Sequence, residues 1–207
     1  MSNMFNRFPF HFYPIVDNHY WLKKMIENKV PISQYRVKKT ISTKLEEEIK
    51  TAIEIAKANN HLLIINDFWE LALKYNAYGV HLGFEDSLLA DINKIQQSGL
   101  VFGLSTHDEK ELQHAIHLEP KYIALGPIFP TSSKIMRFLP QGINKITQWR
   151  EIIPAEIKLV AIGGIELSNA EKIYQSGADC ISVISDITKA QNPDERLQQW
   201  LKKQNLF

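Results

Sequence analysis

The chain has almost no cysteine: Cys180 is alone among 207 residues. Without a second thiol an internal disulfide is excluded, so the fold must rest on a buried core, which a 44% hydrophobic composition can supply. Long apolar runs are also missing. None approaches the roughly 18 to 20 residues that span a bilayer, so no membrane role is expected. The opening stretch MSNMFNRFPFHFYPIV lacks the long apolar segment of a secretory leader, and a cytoplasmic protein is expected. An excess of charge of one sign is absent too. Twenty-four Lys and Arg nearly cancel 23 Asp and Glu, which excludes the broad basic field that nucleic acid binding needs and makes any anion site local. No linker breaks the pattern, so residues 1–207 read as a single domain, with 1–11 as an N-terminal extension.

What is present is alternation. Short apolar runs at 12–16, 32–36, 62–65, 77–82, 100–104, 122–125, 158–162 and 180–184 are separated by amphipathic segments, the signature of parallel strands joined by crossover helices. Between the runs, Leu45, Ile49, Ile53 and Ala56 share one helical face, as do Leu88, Ile92 and Ile95, then Leu112, Ala115 and Ile116. Punctuation agrees with this. Thr106 and Glu109 have capping-box spacing, Asn192 precedes Pro193 at a helix start, and Gly99 and Gly177 sit where helices stop. Eight unbroken strand–helix units fit a closed α/β barrel, the (β/α)8 TIM barrel, better than an open doubly wound sheet with an edge to protect. In such a barrel the chemistry lies at the C-terminal strand ends, so functional residues should follow the apolar runs.

They do. After the second run, alternation puts Gln34, Arg36 and Lys38 on one face and turns Tyr35 and Val37 toward the helices. Two cations pointing together call for a polyanion, the alternative being a solvated basic strand end. After the third and fourth runs come Asn66-Asp67 and the segment from His81 to Asp86. Asp67 and Asp86, at neighbouring strand ends, fit an Mg²⁺ ion that takes one or two carboxylates plus substrate phosphate and water; the alternative is that each caps a helix. Ser105 follows the fifth run at a helix start, where exposed N–H groups favour an anion. His107 beside it reads as a cap or polar surface residue, and His114 with His117, lacking a third ligand, as a solvated helix face. The sixth run opens a long loop, Gly126 to Gly142, whose Thr131, Ser132, Ser133 and Lys134 suit a lid that closes over phosphate. Gly163-Gly164 after the seventh run, with Ile184 and Ser185 at the eighth, suit a phosphate site that many barrels share.

These pieces, Q-x-R-x-K, N-D, G-V-H-x-G-x-x-D, G-x-S-x-H, G-P-I-x-x-T-x-x-K and I-G-G-I, stand in the order found in the thiamine phosphate synthase family, which the chain resembles over roughly residues 12–190. The resemblance implies an enzyme that joins hydroxymethylpyrimidine diphosphate to hydroxyethylthiazole phosphate, releasing thiamine phosphate and pyrophosphate. It further implies that Gln34 contacts the pyrimidine, and that Arg36, Lys38, Asn66, Ser105 and Lys134 hold the pyrophosphate. Asp67 and Asp86 would ligate one Mg²⁺ per active site. Thr131 and Ser133 would serve the thiazole phosphate from the loop, and Gly164, Ile184 and Ser185 from below. Catalytic weight falls on Arg36, Lys38, Ser105 and Lys134. A homodimer is implied at family level only. Phe84, Val37 and Ser133 depart from the family's usual residues without removing a ligand charge. The related thiazole tautomerase barrel differs at two points: it carries a histidine where this chain has Pro127, and it lacks the paired carboxylates. A phosphate-ligand sensor would not need the whole set of charges.

Overall fold

The computed structural model describes residue 8 and residues 10–38, 41–131 and 138–204. Each strand feeds a helix. β1 (Phe12–Val16) leads to α1 (His19–Glu27), β2 (Ile32–Tyr35) to α2 (Thr43–Ala58) and β3 (Leu62–Asn66) to α3 (Trp69–Lys74). β4 (Gly79–Leu82) is followed by α4 (Phe84–Leu89) and α5 (Ile92–Gln97), and β5 (Val101–Thr106) by α6 (Glu109–His117). β6 (Tyr122–Leu125) precedes α7 (Ile143–Ile152), and β7 (Lys158–Ile162) precedes α8 (Ala170–Gln175). After β8 (Cys180–Val183) come α9 (Ser185–Thr188) and α10 (Pro193–Gln204).

The strands pair in sequence order and β8 returns to β1, closing a parallel barrel. Alternation sorts their side chains into two layers. Tyr35, Val80, Leu104, Ile123 and Leu125 face outward into the shell packed by Leu22, Met25, Ile49, Ile53 and Leu112 of the helices. Tyr13, Ile32, Ile64, Val101, Tyr122, Val160 and Cys180 fill the interior. Phe8 joins them: it is 4% exposed and stacks on Tyr122 at 4.3 Å, closing the end of the barrel where the strands begin. Among the described residues, no helix is long and apolar enough to cross a membrane.

Three of the eight predicted runs, those of β1, β6 and β7, match their strands to the residue; the others shift by one or two positions at one or both ends. Two helix readings need correction. Leu88, Ile92 and Ile95 do not share one helix: the chain breaks at Ala90, and Asp91 caps a second helix by accepting from the Lys94 N–H at 3.0 Å. Leu88 is left 58% exposed while Ile95 is buried. The helix cap is also two residues further on than Thr106. Thr106 belongs to β5 and its hydroxyl donates to the Ala124 carbonyl, whereas Asp108 accepts from the Glu111 N–H and Glu111 accepts from the His107 N–H. A strand bond satisfies the threonine before the helix can use it. The stops at Gly99 and Gly177 hold, at φ +79° and +101°, and Asn192 accepts from the Glu195 N–H at the start of α10.

Candidate active site

A cleft of about 960 Å³, open mouth included, lies at the C-terminal ends of the strands. β2 and the residues after it contribute Gln34, Arg36 and Lys38 to its wall, and Tyr35 and Val37 are buried on the opposite face, as alternation predicts. Asn66 and Asp67 enter from β3, Asp86 from α4 and Ser105 from β5. Thr131 lines it from the loop after β6, and Gly164, Ile184 and Ser185 from the ends of β7 and β8. One cavity therefore collects the predicted residues that the structure describes. Ser133 and Lys134 lie outside the described residues.

Local backbone explains several placements. Asp67 sits at φ +66°, a left-handed conformation costly for most residues but tolerated by aspartate, and its N–H donates to the His81 carbonyl across to β4. It caps no helix: α3 has Phe68 at that position and no side-chain cap. Asp86 is different. It lies in the first turn of α4 and accepts a long 3.3 Å bond from the Gly83 N–H, so the helix-start reading is partly realised there. The root of the loop after β6 is pinned, since the Ile128 and Phe129 N–H groups donate to the Ile162 and Gly163 carbonyls. Gly164 makes that approach possible: at φ +63°, a Cβ on it would lie 2.5 Å from the Pro130 carbonyl oxygen.

Electrostatics follow from burial. Burial pushes the Arg36 guanidinium below its ordinary value, and the Asp67 carboxylate partly offsets that. Neither Arg36 nor Lys38 has a salt-bridge partner among the described residues. A partly desolvated guanidinium facing a cleft, with the exposed Lys38 beside it, favours an anionic ligand. Cys180, deep in the barrel, is pushed well up by burial, which keeps it a thiol. Asp67 and Asp86 offer two hard oxygen donors to the same cavity, a donor set that suits Mg²⁺ completed by phosphate oxygens and water. Among the described residues no three His, Cys, Asp or Glu side chains gather in a metal-holding group.

Sequence reasoning missed the floor. Gln34 Nε2 donates to the Tyr13 hydroxyl at 3.0 Å, Tyr13 and Tyr122 hydroxyls meet at 3.0 Å, and Tyr122 meets His81 Nδ1 at 2.9 Å. His81 Nε2 in turn lies 2.7 Å from Ser105 Oγ. Ser182 also lines the cleft, 2% exposed, and its hydroxyl has no partner among the described residues. Strand periodicity puts these side chains inside the barrel, but their pairing across strands has no local signature. His107 is a correction: it bonds Glu111 at 2.8 Å, stacks on Phe138 at 4.6 Å and lines the cleft, while the cap of α6 is Asp108. His114 is another. It is not a solvated surface residue: its Nε2 meets Ser87 Oγ at 2.9 Å and its ring packs edge-on to Phe84, tying α6 to α4.

The thiamine monophosphate synthase family model matches residues 12–187. The chain belongs to this family. Among curated relatives, the thiamine-phosphate synthase of Photorhabdus laumondii is 44% identical over 180 residues, covering 87% of this chain and 83% of its own. That of Rhizobium etli is 41% identical over 190 residues, covering 92% and 93%. A solved structure of thiamine phosphate pyrophosphorylase from Pyrococcus furiosus superposes with a TM-score of 0.80 at 25% identity, covering 99% of this chain and 98% of that one. Membership in the thiamine monophosphate synthase family makes the protein an enzyme, on the same barrel as its solved relative.

Proposed function

We propose that the cleft condenses hydroxymethylpyrimidine diphosphate with hydroxyethylthiazole phosphate, giving thiamine phosphate and pyrophosphate. The observation that carries this reading is the meeting of Arg36 and Lys38 with Asp67 and Asp86 in one cavity. A diphosphate accompanied by a divalent cation satisfies both signs of charge at once. The names of the relatives, thiamine-phosphate synthases, support the same product.

In this proposal the C–O bond between the pyrimidine's methylene and the diphosphate breaks first, because the electron-rich ring stabilises the cation left behind, and the thiazole nitrogen then attacks that carbon. No protein nucleophile is required. Arg36, Lys38 and Lys134 hold positive charge where the leaving diphosphate gathers negative charge, and one such donor is commonly worth about 10² to 10³ in rate. Asn66 and Ser105 orient the diphosphate oxygens, and Gln34 holds the ring. Gly164, Ile184 and Ser185 hold the thiazole phosphate from the strand ends, with Thr131 and Ser133 above it. Asp67 and Asp86 would hold one Mg²⁺, whose charge would further stabilise pyrophosphate as it departs. The loop carrying Thr131 to Lys134 would exclude water that competes for the cation.

The direct test is incubation of the purified protein with both phosphorylated substrates and Mg²⁺, followed by chromatographic detection of thiamine phosphate. Formation of product supports the proposal. Absence of product from folded protein refutes it.

A further inference from the structure

Four consecutive contacts in the barrel floor run from Gln34 through Tyr13, Tyr122 and His81 to Ser105. Both ends line the cleft and the three middle residues are buried, at 1%, 0% and 6% exposure for Tyr13, Tyr122 and His81. Such a chain has a direction, and proton counting gives it. An amide nitrogen only donates, so Gln34 Nε2 cannot take the hydrogen of the Tyr13 hydroxyl, and the Tyr122 oxygen is the acceptor left for it among the described residues. Tyr13 must therefore give its own proton to Tyr122, and Tyr122, having accepted, gives its proton to His81 Nδ1. A neutral imidazole that accepts at Nδ1 carries its hydrogen on Nε2, which donates to Ser105 Oγ. Burial holds both tyrosines protonated, so neither breaks the sequence by ionising. Ser105 accepts from below and its own hydroxyl hydrogen is left for the cleft. At the other end, the Gln34 amide spends one of its two N–H groups on Tyr13, and that bond sets which way the amide faces and leaves its carbonyl oxygen for the ligand.

We infer that Tyr13, Tyr122 and His81 are positioning residues that fix opposite hydrogen-bond polarities at the two ends of the cleft floor: an acceptor at Gln34 and a donor at Ser105. The inference rests on the reading under Proposed function, in which a pyrimidine ring lies against Gln34 and its diphosphate against Ser105. It adds a selection rule. The ring group facing the Gln34 carbonyl oxygen must offer an N–H, so an amino substituent is accepted there and a carbonyl oxygen in its place is rejected. The group facing Ser105 must offer lone pairs, as phosphate oxygens do. A satisfied donor–acceptor chain holds this rule because reversing one end means reversing every member. Space for the chain is built in: a Cβ on Gly103 would lie 2.1 Å from the Tyr122 ring, so only glycine admits the tyrosine there.

The test is calorimetric binding of two probes, the pyrimidine diphosphate bearing a ring amino group and its analogue with oxo in that position, to the wild type and to Tyr122→Phe. Removing one hydroxyl cuts the chain and frees the Gln34 amide to turn over. The expected result is a wild-type preference for the amino probe that falls at least about tenfold in Tyr122→Phe, as loss of a buried polar match does. Tyr13→Phe, a second near-isosteric change, should show the same collapse. A merely structural role would weaken both probes equally and leave their ratio unchanged, which would overturn the inference while leaving the proposed reaction standing. A wild type that prefers the oxo probe would mean the chain runs in the opposite direction, also overturning it. Binding of neither probe by the wild type would remove the reading on which the inference rests, and the inference with it.

Discussion

Asp186 ties the last helix of the protein to the strand end that carries Ser185, and replacing it with alanine should loosen both. Its carboxylate is 6% exposed and takes the Arg196 guanidinium at 2.6 Å and the Trp200 indole N–H at 2.7 Å. Trp200 is fully buried and stacks on Phe12 of β1 with ring centroids 5.1 Å apart. In Asp186→Ala the indole N–H keeps its burial and loses its acceptor, at about 1 to 2 kcal/mol. The Arg196 side chain is 33% exposed and turns to water, so its share is under about 1 kcal/mol. The sum is about 2 kcal/mol. For a chain of this size that corresponds to roughly 4 to 8 °C in melting temperature. Asp186→Asn keeps one carbonyl acceptor and should lose about half as much. Urea denaturation of the three proteins, with melting curves in parallel, measures the series. A change below about 0.5 kcal/mol in Asp186→Ala would refute the reasoning, because it would mean that the buried indole does not depend on this carboxylate.

Other consequences can be checked as directly. Asp67→Asn keeps the shape and the left-handed backbone at φ +66° while removing the charge, and turnover should drop by at least about tenfold with an unchanged melting curve. Lys134→Ala should lower turnover by a similar factor, and wild-type rates in either variant would count against the proposed diphosphate site. Excess chelator should abolish thiamine phosphate formation in a purified sample; continued synthesis would rule out an essential metal. Burial lowers the His61 imidazole from its ordinary 6.5 to about 4, with Nδ1 donating to the Val30 carbonyl and Nε2 taking the Ser33 hydroxyl. The unfolded chain therefore binds this proton more readily. Stability from this group is complete above about pH 6.5 and is lost as pH falls toward 4, by roughly 3 kcal/mol. His61→Gln should flatten that part of the urea midpoint's pH profile, and an identical profile would refute the assignment.

The barrel and most of its cleft could be read from the chain because both depend on short-range pattern. Period-two alternation put Gln34 inward and Tyr35 outward, and strand ends marked where Asn66, Asp67 and Ser105 would surface. Competition between partners could not be read that way. Thr106 resembled a cap until the neighbouring strand's Ala124 carbonyl claimed its hydroxyl, and Asp91 restarted a helix within what looked like one continuous stripe. His114 looked solvated because Ser87, its partner, lies 27 positions away. The Tyr13–Tyr122 contact spans 109 positions, and the sequence around either tyrosine looks like ordinary strand. Polar pairs inside a barrel are chosen by closure, which local patterning does not encode.

Closure also constrains manufacture. The first strand pairs with the eighth, and its Phe12 is covered by Trp200 of the final helix. During synthesis β1 therefore waits with one lateral edge unpaired and an aromatic face bare until β8 and α10 have emerged. Nascent chains halted before α10 should be the forms most prone to association, and once the ring shuts it offers no strand edge on which another chain could grow.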